Sequence, residues 1–263
     1  MDQDRVTVAS VAVPTEHGGW GFTFEPIALG LAVSPSLAGA LIAVAALAVF
    51  LARRPLRIAL TDRRLGRRLP RTALARRVVA AELVAAAGAM AGSVLLAGDA
   101  NLLWPLGAAL PLAAVQVWAD ANLRSRDLIP EMAGGIALGS VAVAIALAGG
   151  VDPGVAWGLW LVPAGRTVSS VPFVRTQIRR GRGQQARSGV VPVVDAAVAA
   201  VMMIAAWFDT VSWSAAAAMV LLGLWSAVGL ARPPIPTRTL GWTQIVLGLV
   251  VAALAAVGYH RGW

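Results

Sequence analysis

Cysteine and lysine are both absent from this chain, histidine occurs only twice, and 13 acids are spread over 263 residues. Without cysteine there is no disulfide, no thiolate metal site and no cysteine nucleophile. With histidine confined to His17 and His260, a transition-metal or haem centre lacks its usual ligands. The arginine-bearing loops contain no closely paired aspartates to hold Mg²⁺ on a phosphate, so no metal set is assigned. Charge is scarce as well: charged residues are 13% and hydrophobic ones 58%, against about 25% and roughly 45–50% in soluble domains.

What is present is a series of apolar runs near the roughly 20 residues that a helix needs to cross a bilayer. They fall at 20–34, 36–52, 78–97, 101–119, 130–149, 154–174, 190–207, 211–230 and 240–259. The expected fold is all-α: a polytopic membrane bundle of about nine transmembrane helices. Residues 1–13, with Asp2, Asp4 and no apolar core, are read as a cytoplasmic tail rather than a cleaved signal. Residues 14–263 form one integral membrane domain. Tight turns at Gly98-Asp99, Gly149-Gly150 and Asp209-Thr210 separate the runs.

All 22 basic residues are arginine, and their placement orients the molecule. Ten lie between Arg53 and Arg77, five between Arg175 and Arg187, and others at Arg124, Arg126, Arg232 and Arg238, while the alternate loops carry only Asp99, Asp152 and Asp209. By the positive-inside rule the arginine-bearing side and the N-terminus are cytoplasmic. Arginines set between apolar helices serve topology and anionic headgroups rather than nucleic acid, so membrane lipids are the expected partners. Trp104, Trp157, Trp207, Trp213 and Trp263 fall at span ends on the other side, as interfacial anchors do. The glycine pairs Gly134-Gly135 with Gly139, and Gly88 with Gly92, mark packing seams.

The candidate chemistry starts at Glu16-His17-Gly18-Gly19-Trp20, with Glu25-Pro26 inside the first span. An ionisable residue within a span is a functional candidate by default, and Glu16, His17 and Glu25 are the candidate acid–base groups. Arg53, Arg57 and Arg175 at helix exits are candidate anion ligands, together with Asp62, Asp120, Asn122 and Arg124 in the loops. Arg166 is the only deep cation, so Glu25, Glu131 or Asp195 is its expected partner; Asp127 is placed to cap the helix that follows it. These groups serve either a structural ion-pair cluster or a cavity facing the cytoplasm.

The block Glu16-His17-Gly18-Gly19-Trp20 resembles the start of the YwiC-like family of bacterial membrane proteins. So do Leu51-Ala52-Arg53-Arg54-Pro55-Leu56, Asp62-Arg63-Arg64, Leu128 to Gly134 and Val174-Arg175. This implies a bacterial inner-membrane location and no particular cofactor. The chain is more distantly similar to the UbiA superfamily of intramembrane prenyltransferases in helix count and in its two long loops, which follow spans two and six. That superfamily's paired aspartates are missing, with only Asp62 in the first loop. The likeness implies an amphipathic, isoprenoid- or lipid-like anionic substrate. A proton-coupled carrier using Glu25, Glu131, Asp195 and Arg166, or a non-catalytic accessory protein of a membrane complex, are the alternative readings.

Overall fold

The computed structural model describes residues 7–12, 17–67 and 69–262, with the side chains of residues 10, 17 and 18 excepted. After a short turn of helix, α1 (Val8–Ala12), come nine longer helices: α2 (His17–Val33), α3 (Leu37–Arg64), α4 (Pro70–Ala97), α5 (Trp104–Ala121), α6 (Leu128–Ala148), α7 (Pro153–Gly181), α8 (Val190–Trp207), α9 (Trp213–Ala231) and α10 (Thr237–His260). No strand occurs among the described residues.

The helix starts follow local chemistry. Ser36 accepts from the Gly39 amide to cap α3, Asp152 accepts from the Gly154 and Val155 amides to cap α7, and Ser212 accepts from the Ala215 amide to cap α9. Each satisfies donors that the first turn leaves without an intrahelical partner. α4 begins on Pro70, whose missing N–H is no loss there, and ends on Gly98 at φ 66°, a left-handed conformation that glycine adopts without strain. Asp127 occupies the cap position of α6 but does not cap it. Its carboxylate instead accepts from Arg124 Nε at 2.7 Å, a charge-assisted bond that outcompetes a backbone amide.

Seven of the helices, α3 to α6 and α8 to α10, are long and apolar enough to cross a membrane. The two that fall short of the nine expected spans are α2, at 17 residues, and α7, which carries Arg166, Thr167, Ser169 and Ser170 along its middle. All four of those polar residues are buried. α2 therefore falls short in length and α7 in apolar character, and the polar residues that lower α7's hydropathy point into the bundle rather than outward.

α6 is the central post, packed by α2, α5 and α7. Its glycines do the close fitting: Gly135 abuts Thr167, Gly139 abuts Trp160 and Pro163, and Gly134 abuts Gln116. The expected seam on α4 is only half there. Gly92 faces Leu41, whereas Gly88 faces open space. At one end of the bundle Ser34 donates to the Gly149 carbonyl and His260 bonds the Ala32 carbonyl. Trp104, Trp157, Trp207 and Trp213 stand exposed there, and Trp263 lies outside the described residues. At the opposite end Arg175 donates to the Arg126 carbonyl and Arg180 to that of Arg232, so the arginine-bearing turns gather together.

Candidate functional site

Between α2, α3, α4, α5, α6, α7 and α10 lies a cavity of about 1560 Å³, larger than the roughly 300–1,000 Å³ of most small-molecule sites. Most of its wall is apolar. On α3 the lining residues Ile42, Ala46, Val49, Arg53, Leu56 and Arg57 share one face at intervals of three and four. Two arginines are therefore set at the arginine-rich end of an otherwise hydrophobic stripe.

Arg53 is clamped from across the cavity. Its Nε and Nη2 donate to Asp120 of α5 at 2.9 and 3.2 Å, and Asp120 also accepts from Gln116 Nε2 at 3.0 Å. This two-point arrangement fixes the plane of the guanidinium. Arg175 of α7 is held by Glu131 of α6 at 3.1 Å and by the Arg126 carbonyl. Arg179 on α7 and Arg182 just past its end, four and seven residues beyond Arg175, line the cavity as well; with Arg126 and Arg238 they complete its cationic end.

Deeper in, Glu25 and Arg166 form an ion pair at 3.7 Å, with side chains only 7% and 2% exposed. Arg166 Nη2 donates to the carbonyl and to Oε1 of Gln244 on α10, at 2.8 and 2.9 Å. Among the described residues Arg166 Nε and Nη1, Gln244 Nε2 and Ser170 Oγ find no hydrogen-bond partner. Each of these residues lines the cavity. The Glu25 carboxyl sits where a side chain at Gly248 would stand. Gly248→Ala is expected to push it off α10 and to lower the thermal midpoint, with overpacking costing about 1–3 kcal/mol. In a Glu25→Ala background the same change should cost little. Equal losses in both backgrounds would show that Glu25 is not what occupies that space.

Seven of the residues picked from sequence share this cavity: Glu25, Arg53, Arg57, Asp120, Glu131, Arg166 and Arg175. Four are spent elsewhere. Asp62 accepts from Arg71 and from Thr72 Oγ1, clasping the ends of α3 and α4 together. Asn122 donates to the Trp118 carbonyl at the end of its own helix, and Arg124 pairs with Asp127. Asp195 on α8 accepts from Ser169, so of its three candidate partners Arg166 takes Glu25. Glu16 and the side chain of His17 lie outside the described residues. Gln116 and Arg126, polar groups that the sequence also offers as candidates, line the cavity too, and Ser170, Gln244, Arg179, Arg182 and Arg238 are among the lining groups that were not picked. Of these, Arg179 and Arg182 carried a signal, their spacing of four and seven residues from Arg175. Among the described residues no three of His, Asp and Glu gather as a metal-ligand set.

Residues 13–146 match the model of a family described as YwiC-like protein. The match takes in α2 to α5 and nearly all of α6, and stops short of Arg166, Arg175 and Gln244. No curated protein and no solved structure matches the chain.

Proposed function

The chain belongs to the YwiC-like family, and we propose that it binds, or transforms, an amphipathic lipid- or isoprenoid-like molecule with an anionic head. One observation carries this: arginines from α3, the α5–α6 turn, α7 and α10 converge on one end of a cavity whose other walls are apolar. Guanidinium groups match phosphate and carboxylate oxygens in geometry as well as charge. Carboxylates hold two of them in place, so a polyanionic head can bind without a metal. Glu25, further in, is the acid–base group of this reading, with Glu16 and His17 preceding it in the chain.

In the same reading all nine long helices cross a bacterial inner membrane, and the arginine-rich end faces the cytoplasm. α2 and α7 can cross because their polar residues point into the bundle. The arginine-bearing stretches begin within the last turns of the second and sixth long helices, α3 and α7, and run into the turns beyond, which supports the likeness to UbiA-type proteins in layout, though not in metal chemistry.

Native mass spectrometry with lipid identification, on wild type beside Arg53→Ala and Arg175→Ala, tests the proposal. The wild type should retain one anionic lipid class, and each variant should retain at least about tenfold less, equivalent to roughly 1.4 kcal/mol. Equal, unselective lipid carry-over in all three would remove the reading.

A further inference from the structure

Two apolar stripes face the cavity without covering each other. On α4 they are Val79, Leu83, Ala86 and Met90; on α5, Leu106, Leu110, Ala113 and Val117. Both repeat at intervals of three and four, the spacing by which neighbouring helices normally bury one another. The two helices are joined by a short turn, yet α4 packs along α3 and α5 along α6, with little contact between α4 and α5. Leu83 and Leu110 are accordingly 50% and 66% exposed. In water such a gap would close. In a bilayer it need not, because lipid tails are as apolar as leucine and no hydrophobic force drives the helices together.

The gap also changes character along its length. The α4 stripe runs roughly 16 Å at 1.5 Å per residue. The α5 stripe then continues into Gln116 and Asp120, where Arg53 is held. Apolar at one end and cationic at the other, the opening has the polarity of an amphiphile lying along it.

We propose that the α4–α5 gap is a lateral slot through which the hydrocarbon chain of the ligand enters from the membrane and in which it remains, while its anionic head rests on the arginines. This rests on the head-group reading above and extends it. The ligand is a lipid-phase molecule with a chain, not a soluble anion that enters from the arginine-rich end alone.

Because the chain has no cysteine, Leu83→Cys with Leu110→Cys provides the only two thiols, both on an exposed apolar surface where substitution is tolerated. The protein is placed in phosphatidylcholine nanodiscs, with and without prior bridging by a bifunctional thiol reagent. It is then offered hexadecyl phosphate or butyl phosphate, and bound phosphate is counted by native mass spectrometry. The unbridged protein should bind both and prefer the long chain. Bridging should lower hexadecyl phosphate binding at least tenfold and leave butyl phosphate unchanged. A Leu83→Trp, Leu110→Trp variant, which fills the gap without a reagent, should do the same. Undiminished hexadecyl phosphate binding in the bridged and filled proteins would overturn the slot and leave the head-group site standing. Failure of the unbridged protein to bind either phosphate would overturn both.

Discussion

Arg166→Met is expected to destabilise the protein by about 3–5 kcal/mol, the usual result of stripping one partner from a buried ion pair. The reason is what remains behind. Glu25 sits among α2, α7 and α10 at 7% exposure, and no other cation is within ion-pair distance of it among the described residues. A carboxylate left alone at such depth must take up a proton or drag in water, and either is costly. Glu25→Gln should be milder, about 1–3 kcal/mol, because Arg166 keeps two acceptors on Gln244. The double change Glu25→Leu, Arg166→Met removes both charges together and should return stability close to wild type. Thermal midpoints in detergent, with all variants at one pH, give the comparison. An Arg166→Met protein as stable as wild type, or a double variant worse than either single one, would falsify the view that the pair is held by mutual neutralisation.

That pair also marks where sequence reading stops. Apolar length and arginine placement are one-dimensional signals, so the boundaries of the apolar runs and the clustering of arginine-bearing turns at one end could be read directly. Arg53, Arg57 and Arg175 were identifiable because they follow the last apolar residues of their runs, although α3 and α7 continue past them to Arg64 and Gly181. The partner of Arg166 was a different kind of question. Glu25, Glu131 and Asp195 have equal claims by type and depth, and only the packing of α2 and α10 against α7 selects Glu25. Gln244 and Ser170 carried no signal at all, since polar uncharged residues in a membrane helix serve many purposes. The clasp at Asp62 was illegible for a related reason: its partner Arg71 lies just across the turn, and the sequence shows many arginines nearby without showing which one the fold brings to it.

Asp120→Ala should weaken retention of an anionic lipid about tenfold, even though it removes a negative charge from a cationic site. Two effects oppose each other. Neutralising Asp120 raises the positive potential. However, in a wet, screened cavity mouth a like-charge repulsion at about 4 Å or more is worth only about 1 kcal/mol. Against it stands the loss of the two-point clamp on Arg53, whose side chain carries about 2 kcal/mol of rotamer entropy that the ligand would then have to freeze out. Positioning should win. The discriminating experiment is a double-mutant cycle, since residues that act through one another are not additive. If Asp120 works by aiming Arg53, then Asp120→Ala in an Arg53→Ala background should cause no further loss, and the released charge should produce a slight gain at low salt. A tighter-binding Asp120→Ala single variant would show that the carboxylate merely repels the head group, and an additive loss would place Asp120 in direct contact with the ligand.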